Sequence, residues 1–335
     1  MRIVIATPLY PPEIGGPATY AKLLFEGLPE KGIEVELLKF SDVQHLPKII
    51  KHFVYYRRIL KAARSADVVL ALDPVSVGLS AMKAAKKADK PFVVKIVGDY
   101  AWEQGQQRFG ITQNLDEFVK TKNVSFQVRV LRRIQTRVAK SATRVIVPSE
   151  YLKNIVSAWG VQREKIEVIY NAVELSFAPV PPIERTSGFL IVSSGRRVPW
   201  KGFEALERVV AREVGWHLFI ASDLPRAEAL GYAQAADVFV LNSEYEGFSH
   251  ALVEVMMLGT PIIATKVGGN TELIEDGKTG LLIPSKDDEA LYNAIKCIKE
   301  DPIAARSRAV EARAFVQKFS RERMLSATAT MLKNL

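Results

Sequence analysis

Short apolar runs alternate along this chain with stretches in which apolar residues recur every three or four positions. The first pattern marks buried strands and the second marks helices packed on one side. RIVIA over 2–6 predicts a strand, followed by a loop from Pro8 to Gly16 that ends in Gly15-Gly16. Pro17 suits the first turn of a helix, which continues over 18–28 until Gly32 breaks the pattern before a second strand at 34–40. Strand, glycine-bearing loop, helix, strand is how a doubly wound α/β domain opens. Further strands are expected at 67–72, 91–97, 143–148 and 166–170, and helices at 46–65, 75–88 and 118–141. Another helix runs from Ser149, a good N-cap, to near Gly160. Over 46–65 the apolar side reads as Leu46, Ile49, Ile50, Phe53, Leu60 and Ala63, with six Lys and Arg residues between them.

Pro-Val-Pro-Pro at 179–182 is the clearest linker, and a second α/β series follows it. Strands are expected at 189–193, 216–221, 238–241, 261–265 and 280–284. Helices are expected at 203–213, 229–236, 271–275, 287–300 and 303–316, with a last one near 320–334. At 335 residues the chain is too long for one ordinary core and suits two domains of about 150 residues. The expected division is 1–180 and 186–316, with 317–335 packing back on the first domain.

Composition narrows the function. An apolar fraction of 48% and a charged fraction of 25% are those of a soluble globular protein. One cysteine, Cys297, and four scattered histidines exclude a disulfide framework and argue against a metal site. No signal-peptide pattern and no run near the roughly 20 apolar residues of a membrane span is present, so a cytoplasmic protein is expected. The net charge of +9 divides as +10 over residues 1–187 and −1 over 188–335. The excess lies in 43–65 and 118–144, which hold six and eight basic residues and no acidic ones. Such a patch implies an anionic partner, either an anionic membrane surface or no more than the solvent around a charged helix face. No nucleic-acid partner is expected.

The densest chemistry lies in Glu244–Pro261, EYEGFSHALVEVMMLGTP. A strand runs out at Asn242-Ser243, a polar loop carries Glu246 and Gly247, and a helix follows until Gly259 and Pro261 end it. Free N–H groups at such a helix start make an anion site, while Glu246 and Glu254 suit neutral hydroxyls of a ribose or sugar. An ordinary strand–helix connection with a solvated glutamate explains the same residues equally well. Gly98-Asp99, with Tyr100, Trp102 and Glu103, stands at another strand's carboxyl end, where ligands bind in such sheets. The first loop is not G-x-G-x-x-G, so a dinucleotide site is not indicated.

Together the Gly-Gly loop after the first strand, Gly195-Arg196 through Lys201-Gly202, and E-G-F-x-x-x-x-x-E over 246–254 resemble the retaining GT-B glycosyltransferases of family four. The likeness covers nearly the whole chain and is strongest over 188–285. It implies a GT-B fold of two doubly wound Rossmann-like domains facing a central cleft. It also implies transfer of a hexose from a nucleotide-diphosphate-sugar, such as a UDP- or GDP-sugar, to a sugar, polysaccharide or lipid-linked acceptor, with retention of configuration. By the same resemblance Arg196 and Lys201 bind the diphosphate, with Gly16 and the N–H groups around Gly247, Phe248 and Ser249. Glu254 binds the ribose and Glu246 lies by the donor sugar. No Asp-x-Asp is present, so neither a metal nor another cofactor is expected.

Two departures stand out. The family's His-Asp pair is Gly98-Asp99 here, leaving Asp99 as the candidate contact to donor sugar or acceptor. The strand at 216–221 passes through Ser222–Arg226 almost directly to the next helix, which shortens the second domain where relatives contact the base. These departures keep two other readings open, a non-catalytic nucleotide-sugar-binding protein and a sugar-nucleotide epimerase. A cytoplasmic enzyme of cell-envelope polysaccharide or glycolipid synthesis, peripheral at the inner membrane face, is the principal expectation.

Overall fold

The computed structural model describes residues 1–13, 15–173 and 188–335, so the linker at 179–182 and the expected boundary at 180–186 lie outside the described residues. The chain forms two compact units, Met1–Ala172 with Arg321–Leu335, and Val173–Ser320.

The first unit runs β1 (Arg2–Thr7), α1 (Gly16–Gly27), β2 (Glu34–Lys39), α2 (Lys48–Ala63), β3 (Val68–Ala71), α3 (Gly78–Ala88) and β4 (Phe92–Lys95). It continues through α4 (Tyr100–Arg108), α5 (Leu115–Lys120), α6 (Phe126–Ser141), β5 (Arg144–Val147), α7 (Glu150–Ala158) and β6 (Ile166–Val168). The strands pair in parallel in the order β2-β1-β3-β4-β5-β6, with Ile3 opposite both Val35 and Val68. Parallel strands covered on both faces need apolar residues throughout, and Ile3, Val4, Ile5 and Ala6 are all fully buried.

The second unit runs β7 (Phe189–Ser194), α8 (Phe203–Val210), β8 (Trp216–Ala221), α9 (Arg226–Ala235), β9 (Val238–Leu241) and α10 (His250–Leu258). It ends with β10 (Ile262–Thr265), α11 (Asn270–Leu273), β11 (Leu281–Ile283), α12 (Asp288–Glu300) and α13 (Pro302–Phe315). Its parallel sheet has the order β11-β10-β9-β7-β8. Its core joins Ile191, Val238, Val240 and Ile263 of the sheet to Leu206 of α8 and Ile295 of α12. The final helix, α14 (Arg321–Lys333), returns to the first unit, where Leu325 and Leu332 join the cluster around Leu24 of α1. Arg321 pairs with Glu30 at 3.0 Å and Lys31 with Glu322 at that contact.

Counted within each unit, the two sheets share the order 2-1-3-4-5, and the first adds β6. In such a sheet the winding reverses between the first and third strands, and ligands bind at the carboxyl ends there. That point lies between β1 and β3 in one unit and between β7 and β9 in the other.

Two sequence expectations are corrected, and one element is added that the sequence pattern did not mark. The continuous helix at 118–141 is two helices. Thr121 ends α5 in an extended conformation, and α6 begins only after Ser125. The polar, partly β-branched run Thr121–Ser125 offers little to hold a helix together. The segment after Gly98 is the helix α4, capped by Asp99. On α2 the buried residues are Tyr55, Ile59, Ala62 and Ala63, whereas Ile49, Ile50 and Phe53, read as core-facing, are exposed. The helix carries two apolar stripes, and only one meets the sheet.

Candidate functional site

The point of reversal in the second sheet is built from two clamped loops. After β7 the chain runs from Gly195 to a helical turn at Pro199–Lys201 and then to Gly202, whose φ is 64°. A Cβ on Gly202 would lie 2.1 Å from the Asn242 carbonyl oxygen, so only glycine lets this loop meet the end of β9. Asn242 Nδ2 donates to the Gly202 carbonyl at 3.1 Å, and the Glu244 N–H donates to the Trp200 carbonyl at 2.7 Å. These bonds place Lys201 Nζ 2.5 Å from Glu246 Oε1, which also accepts from the Ser243 hydroxyl at 2.7 Å. The two charged side chains are only 16% and 12% exposed. On the far side, the Gly269 N–H donates to the Glu246 carbonyl at 2.9 Å. A Cβ at Gly269 would meet the Gly247 carbonyl oxygen at 2.4 Å. Thr265 Oγ1 donates to the Ser243 carbonyl, and the buried Asn270 amide donates to the Thr265 carbonyl at 3.0 Å.

Beyond Glu246 the chain passes Gly247 and Phe248 to Ser249, whose Oγ caps α10 by accepting from the Leu252 N–H at 3.3 Å. Gly259 closes the helix with φ 76°, a left-handed cap that glycine adopts without strain. The positive end of the α10 dipole thus faces the loop that carries Glu246. Arg196 leaves β7 toward solvent and is exposed. The structure brings Lys201, which follows β7, together with Glu246, which follows β9 and leads through residues 247–249 into α10.

Glu254 lies in the second turn of α10. Its Oε1 is 2.5 Å from Nε of Arg226, the first residue of α9. Its side chain is 17% exposed, and burial pushes its pKa up against the opposing pull of the guanidinium. Arg226 and Ser243 are the polar residues that motif reasoning passed over. Arg226 was visible as the one cation in the shortened stretch 222–226, whereas nothing in the sequence marks Ser243 as a partner of Glu246.

The first unit holds the remaining candidates. Gly16 opens α1 behind Gly15. Asp99 is 1% exposed, and its Oδ1 accepts from the Trp102 N–H and from Gln135 Nε2, each at 2.9 Å. Gln135 Oε1 in turn accepts from the Ala101 N–H. Burial raises the Asp99 pKa, while Gln135, the Trp102 N–H and the Arg132 charge act to lower it. Asp99 thus ties the start of α4 to α6. Among the described residues no cluster of three His, Cys, Asp or Glu side chains could hold a metal, and no helix is long and apolar enough to cross a membrane.

Both units have counterparts among known proteins. Residues 14–177 match the model of Glycosyltransferase Family 4, and residues 207–315 match that of Glycosyl transferases group 1. A lipopolysaccharide core biosynthesis glycosyltransferase, LpsD of Rhizobium meliloti, is 28% identical over 169 residues. That alignment covers 42% of this chain and 49% of LpsD, so the chain spans about half the length of that relative. A D-inositol 3-phosphate glycosyltransferase of Thermomonospora curvata is 23% identical over 362 residues, covering 87% of this chain and 84% of its own. Among solved structures, Alr3699/HepE of Anabaena in complex with UDP-glucose superposes with a TM-score of 0.77 at 18% identity, covering both chains completely. A sucrose-phosphate synthase of Thermosynechococcus elongatus gives 0.79 at 19% identity, covering 99% of this chain and 98% of its own. Each unit thus carries a glycosyltransferase family match of its own, Glycosyltransferase Family 4 in the first and Glycosyl transferases group 1 in the second, and the fold is that of the GT-B enzymes.

Proposed function

We propose that the chain moves a hexose from a nucleoside-diphosphate-sugar to an acceptor hydroxyl with retention of anomeric configuration and without a metal. The observation that carries this reading is the Lys201–Glu246 pair at the β7/β9 reversal, beside the start of α10. Lys201 and Arg196 supply fixed cations for the diphosphate, and the N–H groups around Gly247, Phe248 and Ser249 add donors with the helix dipole behind them. A ligand phosphate that draws Lys201 away leaves the Glu246 carboxylate facing the sugar hydroxyls. Glu254 accepts from the ribose, in competition with Arg226. In the reaction the bond from the anomeric carbon to the phosphate oxygen breaks, and the acceptor oxygen bonds the same carbon on the same face. The departing phosphate oxygen takes the acceptor proton, leaving a nucleoside diphosphate and a glycoside. In the first unit, Gly16 opens α1 with no side chain to block its backbone, and Asp99 caps α4.

The UDP-glucose held by the Anabaena protein supports a UDP-sugar as donor. The name of the Rhizobium relative supports an acceptor of cell-envelope polysaccharide or glycolipid synthesis, whereas that of the Thermomonospora relative supports a small inositol phosphate. The basic segments 43–65 and 118–144 support attachment of a cytoplasmic enzyme to an anionic inner membrane face. The test is a thermal-shift screen over nucleotide sugars followed by transfer assays, since a ligand that binds only the folded state raises the midpoint. A UDP-sugar is expected to raise the midpoint and to release UDP on transfer. Binding without turnover, or conversion of the sugar with no acceptor present, would replace this reading with a non-catalytic binder or an epimerase.

A further inference from the structure

Among the described residues four strands stand at sheet edges, β2 and β6 in the first unit and β8 and β11 in the second. An edge strand turns a row of backbone N–H and C=O groups away from its own sheet, and such a row pairs with any strand that reaches it. Short strands and charged side chains blunt an edge, and three of the four are blunted in this way. β6 and β11 are three residues long. β2 holds the place in the first sheet that β8 holds in the second. It carries Glu34, Glu36 and Lys39, and Arg2 pairs with both glutamates. β8 has neither device. Its six residues, Trp-His-Leu-Phe-Ile-Ala, include no Asp, Glu, Lys, Arg or Pro. Leu218, Phe219 and Ile220 stay half-buried there, whereas the inner strands β9 and β10 are buried throughout.

The surroundings of β8 say what pairs with it. Beside the strand lies a hollow of about 390 Å³, lined by Trp216, Leu218 and Ile220 and flanked by Arg197, Glu207 and Glu213. Glu213 stands at the amino end of β8, where its carbonyl accepts from the Trp216 N–H. Arg197 stands at the carboxyl end, two residues past Gly195, whose N–H donates to the Ala221 carbonyl. Arg197 is exposed and lies 3.7 Å from Glu207. A strand with an acid at one end and a base at the other complements itself when turned end for end. A two-fold axis through Leu218 sets two copies of β8 antiparallel, with Trp216 of each opposite Ile220 of the other and Leu218 opposite itself. These positions share one face of the sheet, so the apolar pairs cover both hollows. Arg197 of each copy then stands at the Glu213 end of the other. Val214, a fully exposed apolar residue just before β8, is carried past Ile220 of the other copy. A foreign strand needs only the backbone row, whereas a second β8 also matches the acid–base order and the apolar positions in reverse.

We propose that the chain forms a two-fold dimer through β8, joining the five-stranded sheets of two copies into one continuous sheet. The dimer does not depend on the donor reading of the second unit. The test is sedimentation of the intact protein from about 1 to 100 µM, with hydrogen exchange followed over 216–221. A dimer is expected, and exchange in 216–221 should slow as concentration rises. Leu218→Lys and Leu218→Glu each set like charges against themselves on the axis and should each weaken the dimer by about 100-fold. An equal mixture of these two variants should recover a dimer with one copy of each, because the axis brings their opposite charges together. Arg197→Glu should weaken the dimer by about tenfold, and adding Glu213→Arg to it should restore the affinity. A monomer throughout this range overturns the proposal. Slow exchange in 216–221 at the lowest concentration also overturns it, since the chain itself would then cover the edge. A dimer that survives both Leu218 variants lies elsewhere, and growth beyond two copies makes the edge an open aggregation site; either result overturns the dimer through β8. With both variants folded by circular dichroism, no recovery in the mixture overturns the axis at Leu218.

Discussion

Between β1 and β3 the first unit places Asp73, whose carboxylate accepts from the Val75 N–H at 2.7 Å and from the Ser76 N–H. At the equivalent point between β7 and β9 the second unit places Lys201, Ser243 and Glu246 around a single carboxylate oxygen. Asp73 is consumed by the turn it sits in, and burial raises its pKa against those N–H groups. Lys201 and Glu246 hold each other across two loops, an arrangement that an incoming phosphate can exchange. The same contrast appears in two lysines. Lys95, on β4, is 1% exposed, has no hydrogen-bond partner among the described residues, and lies 3.7 Å from the Tyr20 ring centroid. Lys201 is half-buried beside a carboxylate. One strand order therefore carries two chemistries. The second unit keeps charge poised at its ligand edge, while the first buries its charge in structure.

The comparison can be broken in several places. The largest effect is expected at Glu246: Glu246→Ala should lower transfer by about 10³-fold through loss of the group facing the donor sugar. Unchanged turnover in a UDP-release assay would remove the residue from the site. Lys201→Ala should weaken UDP binding by about 10–100-fold, the worth of a charge-assisted bond to phosphate, measured by calorimetry. In the first unit, Asp99→Ala should cost about 2 kcal/mol of stability in urea unfolding, through a lost cap and an unpaired Gln135. Asp99→Asn should recover part of that loss, as a cap does; equal loss of transfer in a stably folded Asp99→Asn would give the residue a role beyond packing.

The smallest effect is expected at Lys95, where burial holds the pKa well below the usual lysine value. Between the folded pKa and the unfolded value of about 10.4, the unfolded chain binds the extra proton, so this residue makes stability rise with pH. Lys95→Met should raise the melting midpoint at neutral pH by a few degrees, with the gain shrinking as pH approaches 10. A gain independent of pH would mean that Lys95 is not held neutral.

Much of the fold was legible because the apolar runs of a covered parallel sheet are long enough to read. The strands at 216–221 and 238–241 match to the residue, and Gly259 ends α10 as its position suggests. The errors arose where one residue type serves two ends. Ile49 and Phe53 have core spacing but belong to a second stripe, which periodicity alone cannot distinguish from the first. The place of Asp99 at a strand's carboxyl end was legible, whereas its capping bond to the Trp102 N–H and its bond to Gln135, 36 positions away, were not. In the second unit the reading of Lys201 and Glu246 rested on resemblance. Their juxtaposition depends on the tight approach at Gly202 and on Ser243, neither of which a motif records.

The most direct test of the central claim is hydrogen exchange on the intact protein with and without UDP. The account predicts slowed exchange in 195–202 and 243–254, the two loops and the helix start that meet at Lys201 and Glu246. Slowed exchange elsewhere with these segments unchanged would contradict it.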